Sequence, residues 1–191
     1  MKKLLTWLKE ARYNLADKDD LRELKWGTIG NVNGMLLHDG DNLAQLMLLA
    51  RILDNRFNLT PHGGWRPDNT FSKDLSKQKV TAIFVKTGKV PFNAYYDEAK
   101  RNIKELQEQA AHPGTNIVSV VRDDGIRISW PLFEQVEQLA GPVNIRNKLA
   151  LIKTSHVPLQ LLAYNINGTL ISPTYWREEL QGAVMKLKLV M

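Results

Sequence analysis

The sequence predicts an α+β protein with a largely antiparallel sheet, several hairpins and about five helices. Segments with apolar residues at helical spacing are mixed along the chain with short segments rich in strand-forming residues. Two turn sequences, Asp123-Asp124-Gly125 and Asn167-Gly168, each separate two strand-like segments, and such turns join antiparallel neighbours. This mixed order of helices and hairpins is typical of the α+β class.

The first half of the chain begins with a predicted amphipathic helix, because Leu4, Leu8 and Leu15 recur at helical spacing. A second, buried helix is predicted after the acidic turn at 39–41, where a wide apolar stripe follows. In chain order the predicted elements are a helix over residues 2–16, a small hairpin over 29–37, the buried helix over 42–55, a polar loop over 57–79, a strand over 80–86 and a surface helix over 97–111.

The second half is predicted to contain two hairpins and three helices. Pro131 suits the first position of a helix, and Gly141-Pro142 ends that helix. Asn167-Gly168 is the strongest short-range hairpin signal in the chain. The predicted elements are, in order, strands over 116–122 and 126–130, helices over 131–140 and 143–153, a hairpin of strands over 159–166 and 169–172, a helix from Ser172 or Thr174 to about residue 183, and a strand over 186–191.

Length and composition are those of an ordinary globular protein, with 191 residues, 43% of them apolar and 24% charged. A chain of this length fits one domain, residues 1–191, or two lobes, residues 1–112 and 115–191. The sequence contains no cysteine, which excludes disulfides, thiolate zinc sites and cysteine nucleophiles and fits a cytoplasmic protein. The first apolar run ends at Lys9 and is too short for a secretory segment, and no membrane association is expected.

The net charge of +6 indicates a polyanionic partner, and its distribution is more informative than its size. Lysine and arginine are spread evenly along the chain, whereas aspartate and glutamate are not. Residues 75–96 and 138–177 contain no acidic residue. The basic residues of these two acid-free stretches that are predicted to contact phosphate are Lys77, Lys79, Lys86, Lys89, Arg146, Lys148 and Lys153.

The stretch from residue 131 to 171 has the element order of a winged-helix-like part: a helix, a tight break, a basic helix and a hairpin. In such a fold the second helix enters the major groove and the hairpin touches the DNA backbone. Asn144, Arg146 and Asn147 suit this task, because Asn pairs with adenine and Arg with guanine. The competing interpretation is a basic amphipathic helix packed on an α+β core, and the strand at 159–163 is too apolar for an exposed wing.

The loop around Gly63-Gly64 is a second candidate site, because backbone without Cβ atoms can approach a ligand closely. Trp65 is suited to stack on a base and Arg66 to bind phosphate. The alternative is that Trp65 anchors a structural loop to the core. A smaller patch, Tyr175-Trp176-Arg177, combines the same residue types, although aromatic residues at the start of a helix more often pack inward.

A third candidate site is catalytic. His38, Asp39 and Asp41 precede a predicted helix and suit a hard divalent cation such as Mg²⁺. With His62 and Asp68 nearby, the cation would activate water for phosphodiester cleavage. The competing interpretation is an N-cap, since Asp is a favoured capping residue. The sequence leaves open whether the protein is an enzyme.

Three functions are predicted, in order of preference. The first is binding of nucleic acid, DNA or RNA, without a cofactor, in which Trp65, Arg66, Asn144 and Asn147 supply the base contacts. The second is a metal-assisted phosphoesterase or nuclease. The third is an interaction protein, an inhibitor or adaptor, that docks on an acidic partner through the same basic surface. A basic patch does not identify its polyanion, so the first and third functions share their sequence evidence.

Overall fold

The computed structural model describes residues 2–29, 32–38, 42–60, 77–110, 119–131, 133–135, 156–158 and 161–189. It confirms the α+β class with antiparallel strand pairing. The chain forms two compact units, each assembled from separate stretches. The first unit comprises Met1–Ile52, Ile83–Arg127 and Gly182–Met191, and the second comprises Leu53–Ala82 and Ile128–Gln181.

The described helices and strands are short, apart from one long helix. The α-helices are α1 Lys2–Glu10, α2 Lys18–Leu21, α3 Phe92–Ala110 and α4 Trp176–Leu180. The strands are β1 Lys25–Ile29, β2 Val32–His38, β3 Asn42–Leu43, β4 Leu46–Ile52, β5 Lys79–Val85, β6 Val121–Arg122, β7 Gly125–Pro131, β8 Phe133–Gln135, β9 His156–Pro158 and β10 Val184–Leu189. Among the described residues, no helix is long and apolar enough to cross a membrane.

A five-stranded sheet has the order β10-β4-β5-β7-β6; β4, β6 and β10 belong to the first unit, and the residues of β5 and β7 are divided between the two units. Strand β4 is paired with the whole of β10, from Leu46↔Leu189 to Arg51↔Val184, and with the end of β5. The prediction of a buried helix over 42–55 is therefore wrong. The apolar run is continuous because nearly every residue of β4 is buried, on both faces of the sheet. Such a run has no periodicity that separates a buried strand from a buried helix.

Helix α1 is also shorter than the sequence predicts, since it ends at Glu10 instead of near residue 16. The chain turns at Tyr13, which has a φ of 57°, and Asn14 then forms a bridge with Met47 of β4. The buried Asn14 side chain fixes this turn, because its Nδ2 donates to Leu8 O at 2.9 Å. Pairing with the sheet satisfies backbone groups that a longer helix would have paired internally.

Helix α3 packs its apolar face in the first unit and begins at Phe92 instead of Asp97. Its buried positions are Phe92, Tyr96, Ala99, Asn102, Ile103 and Leu106. Phe92 packs with Leu8 of α1 and Leu49 of β4. At the other end of α3, the indole nitrogen of Trp26 in β1 donates to Leu106 O at 3.0 Å. This bond links α3 to a small sheet in the order β1-β2-β3. The antiparallel pair of β1 and β2 spans residues 25–38, so the hairpin predicted over 29–37 begins too late, and most of that range is the single strand β2.

Among the described residues of the second unit, the buried apolar side chains are Phe57, Leu59, Val80, Ala82, Ala163, Ile171, Trp176 and Leu180. The predicted helix over 131–140 is wrong where the structure describes it, because β7 ends at Pro131 and β8 pairs with β9. Residues 143–153, the predicted recognition helix of a winged-helix-like part, lie outside the described residues. The predicted helix after Ser172 is a 3₁₀ turn, Pro173–Tyr175, followed by the single turn of α4.

Candidate nucleic-acid interface

The structure describes four of the lysines predicted to contact phosphate. Lys77 and Lys79 are exposed at the start of β5 and belong to the second unit. Lys86 and Lys89 follow the other end of β5, in the first unit, and are also exposed. Lys86 Nζ lies 2.8 Å from Asp97 Oδ2 of α3. That carboxylate neutralises Lys86, so this lysine is a weaker phosphate ligand than the sequence predicts.

The remaining predicted site residues lie outside the described part of the chain. Those assigned to nucleic-acid contacts are Trp65, Arg66, Asn144, Arg146, Asn147, Lys148 and Lys153, and those assigned to catalysis are Asp39, Asp41, His62 and Asp68. His38 is the last residue of β2, and only its backbone is described. Within the described ranges, no three His, Asp or Glu residues are grouped so that they could hold a metal ion.

Most cations on and around α3 are paired with acids. Lys18 Nζ lies 2.8 Å from Glu105 Oε2, and Lys104 Nζ lies 3.8 Å from Glu108 Oε1. Arg101 pairs with Glu98 in the same way. Exposed pairs of this kind contribute little to stability, but they leave little positive potential for a phosphate. The α3 face is therefore a poor candidate for a nucleic-acid interface, although the helix carries three cations, Lys100, Arg101 and Lys104.

The second unit contains a hairpin whose backbone is held by its own hydrogen bonds. Tyr164 pairs antiparallel with Leu170, and Asn165 N donates to Thr169 O at 2.9 Å. Asn165 Oδ1 also accepts from the backbone amides of Asn167 and Thr169, at 3.0 Å each. Gly168 has a φ of 78°, which the turn requires and glycine adopts without strain. The predicted turn at Asn167-Gly168 is confirmed, but the described residues of the strands predicted over 159–166 and 169–172 form only a single bridge.

The hairpin points apolar side chains towards solvent. Leu162 is 64% exposed, Tyr164 is 53% exposed, and Ile166 at the tip is fully exposed. Ala163, which lies between Leu162 and Tyr164, is buried, and so is Ile171 in the other segment of the hairpin. The side chains thus alternate between the two faces, as in a strand, but the outer face of the hairpin is apolar. The outer face of a half-buried hairpin is ordinarily polar. We call the exposed apolar and aromatic residues of this region the hairpin surface: Leu162, Tyr164, Ile166, Leu170 and Tyr175.

Helix α4 follows the hairpin directly and is anchored to it by Trp176. This residue is 2% exposed, and its Nε1 donates to Ile171 O at 3.2 Å. Tyr175 is 55% exposed and Arg177 is exposed. The predicted Tyr175-Trp176-Arg177 patch is thus divided, with Trp176 packed inward and its two neighbours turned outward. The exposed acids Glu178 and Glu179 follow Arg177 directly and end the acid-free stretch at 138–177.

Sequence reasoning missed the hairpin surface, since it rejected the hairpin as too apolar for a wing. The signal was present in the apolar residues that flank the Asn167-Gly168 turn inside the acid-free stretch at 138–177.

Comparison of the chain with protein-family models, with curated proteins and with solved structures finds no match.

Proposed function

We propose that the protein binds nucleic acid, with a preference for single strands, through the hairpin surface of the second unit. The observation that carries this proposal is the exposure of Tyr164 and Tyr175 in a stretch, residues 138–177, that has no acidic residue. Aromatic side chains on which bases stack, together with cations that bind the phosphate backbone, are the common feature of proteins that bind single strands. An apolar patch of this kind on a soluble surface marks an interaction site.

Unpaired bases stack on the rings of Tyr164 and Tyr175, and Leu162 and Ile166 add apolar contact. Stacking of this type contributes about 1–3 kcal/mol per base and tolerates any sequence, because every base has a π-face. A duplex hides the faces of its bases, so it gains little from such a surface. This difference is the reason for the proposed preference for single strands.

The phosphates are bound by cations of the same unit. Arg177 is exposed two residues after Tyr175, and Lys77 and Lys79 are exposed elsewhere in the second unit. From the winged-helix hypothesis we retain two assignments only. The hairpin touches the nucleic acid, and Arg146, Lys148 and Lys153, which share the acid-free stretch, contact phosphate.

The test is a fluorescence-anisotropy titration with labelled single- and double-stranded DNA and RNA at several salt concentrations. We expect single strands to bind with an affinity whose logarithm falls linearly with the logarithm of the salt concentration. Replacing both tyrosines (Tyr164→Ala with Tyr175→Ala) should weaken binding by about 1–3 kcal/mol for each lost stack. The variant Tyr164→Phe keeps the ring and should bind like the native protein.

A second part of the test asks which cations bind phosphate, with two variants that change the net charge equally. Arg177→Ala should reduce the slope of the salt dependence by about one unit. Lys104→Ala should leave it unchanged, because Lys104 already pairs with Glu108. Absence of binding at low salt, or binding that ignores both tyrosines, would contradict the proposal. Cleavage of the oligonucleotides that requires Mg²⁺ would favour the phosphoesterase alternative instead.

A further inference from the structure

A second surface, in the first unit, has a different chemistry. Strand β10 lies at one end of the five-stranded sheet, and among the described strands only β4 pairs with it. Within the described part of the chain, its outer backbone N–H and C=O groups have no backbone partner along an edge six residues long. Side chains alternate along this edge, with Val184, Lys186 and Lys188 exposed and Met185, Leu187 and Leu189 half-buried.

The two lysines of β10 lie on one face of the sheet. Lys186 is opposite Leu49 and Lys188 is opposite Met47, which places both on the face against which Leu8 of α1 packs. Lys186 Nζ lies 4.8 Å from the centre of the Trp7 ring of α1. Neither lysine pairs with a carboxylate of the described residues, in contrast to the cations of α3. We call β10 with these lysines the basic edge.

We propose that the basic edge binds an extended acidic segment of a partner protein, which adds to the sheet as a further strand beside β10. The backbone edge would supply hydrogen bonds to the segment, and alternate side chains would supply the specificity. Acidic residues of the segment would lie opposite Lys186 and Lys188, where unlike charges across a strand pair attract. Apolar residues at the alternate positions would lie beside Leu187 on the other face.

Two other occupants fit the basic edge less well. A second copy that paired through β10 with both α1 helices on one face would place lysines opposite lysines, which is unfavourable. A nucleic acid would neutralise the lysines, but it has no peptide backbone to pair with the edge. An extended acidic segment satisfies both the charges and the backbone. The proposal of an acidic segment at the basic edge is independent of the nucleic-acid proposal, because the basic edge belongs to the first unit and the hairpin surface to the second.

The test measures binding of three fluorescein-labelled peptides to the full chain. The first alternates Glu and Val over the length of β10. The second has the same sequence with N-methyl groups on alternate amides, so that it keeps its charge but cannot form the ladder of hydrogen bonds. The third has the same composition with Glu and Val in separate blocks. We expect the first to bind, and the other two to bind roughly tenfold more weakly or worse.

The protein variants form a matched pair. Lys188→Glu should abolish binding of the alternating peptide, because it puts like charges opposite each other. Lys9→Glu changes the net charge equally, but Lys9 lies on the opposite flank of α1 from Trp7 and should have no effect. Chemical denaturation checks that both variants fold. If Lys188→Glu does not fold, the comparison of the first two peptides on the native protein decides the question.

Three results would overturn the proposal. Equal binding of the N-methylated peptide would mean that charge alone holds the ligand. No binding of the alternating peptide at low salt would mean that the lysines only protect the edge from pairing. A single-stranded oligonucleotide whose binding is lost in Lys188→Glu would assign the edge to nucleic acid. Loss of oligonucleotide binding in the tyrosine variants alone concerns the hairpin surface and leaves this proposal intact.

Discussion

The two units of the molecule differ in what they expose. The first unit covers α3 with paired charges such as Lys18–Glu105 and Lys86–Asp97, which is the ordinary surface of a stable protein. The second unit exposes Leu162, Tyr164 and Ile166 on a hairpin that its own hydrogen bonds hold in place. A rigid segment with an apolar outer face departs from the usual pattern, and departures of this kind concentrate at functional sites. This difference is why we propose a nucleic-acid interface in the second unit and not in the first.

The units also differ in how their irregular segments are held. In the first unit, buried side chains bond to backbone carbonyls at several points, as Asn102 Nδ2 does with Leu15 O at 2.8 Å. In the second unit, the described link between the hairpin and α4 is Trp176 with its bond to Ile171 O. We therefore expect the loss of Trp176 to destabilise the second unit more than the loss of any one such side chain destabilises the first unit. The predictions below test the contrast, from the largest expected effect to the smallest.

Trp176→Ala should destabilise the protein by about 3–5 kcal/mol, because it removes a large buried ring and leaves a cavity. It should also release the hairpin and so abolish oligonucleotide binding. Urea denaturation followed by circular dichroism measures the first effect and anisotropy the second. The control is Trp7→Ala in the first unit, where the ring is only partly buried, and we expect a smaller loss. Equal losses at the two positions would remove the contrast between the units.

Gly125→Ala should destabilise the first unit by roughly 2–4 kcal/mol. Gly125 has a φ of 147°, and an added Cβ would meet the Phe84 carbonyl oxygen and lie 2.9 Å from Ile83 Cγ2. Gly168 in the hairpin has a positive φ but no atom within 4 Å of an added Cβ. Gly168→Ala should therefore lose only about 1 kcal/mol. If urea denaturation gave similar losses of stability for Gly125→Ala and Gly168→Ala, the neighbours of Gly125 would have to move and relieve the crowding around the added Cβ.

Tyr96 should make the first unit sensitive to alkaline pH. Burial, with a smaller effect of Asp97 and Asp124, raises the pKa of Tyr96 from 10.0 to about 12, and its hydroxyl donates to Phe84 O at 2.6 Å. The unfolded chain loses this proton near pH 10 and the folded chain keeps it, so stability is complete below pH 10 and falls as pH rises towards 12. The expected loss is about 2–3 kcal/mol across that interval.

Urea denaturation between pH 8 and pH 11, as far as the fold persists, measures this slope. Tyr96→Phe should flatten it, because the titrating group is gone. The same variant should lose about 1–3 kcal/mol at pH 8, since Phe84 O then lacks its donor in a buried position. An unchanged slope in Tyr96→Phe would mean that other groups cause the alkaline instability.

Lys18→Ala should have the smallest effect, below about 1 kcal/mol, since the Lys18–Glu105 pair is about half-exposed and solvent screens it. High salt should reduce even this difference, which thermal melts at two ionic strengths would measure. A loss as large as that of Trp176→Ala would show that the paired charges of the first unit are essential to its fold.

Local chemistry in the sequence was sufficient for several features. The turns at Asp123-Asp124-Gly125 and Asn167-Gly168, the strand β5 and most of α3 follow from residues that are neighbours in the chain. These elements depend on turn-forming residues and on short-range periodicity, which operate before any tertiary contact exists. The α+β class follows from them as well.

Only the tertiary structure decided the rest. The apolar run at 46–52 became a strand because β10 and β5 pair with it, and α1 stopped at Glu10 because Asn14 and Met47 form a bridge. The same holds for the candidate sites. Lys86 is neutralised by a partner on another element, Asp97. Trp176 faces inward and Tyr164 faces outward because of which side of each segment is buried. Burial and charge pairing are properties of a surface, and a surface exists only once the chain has folded.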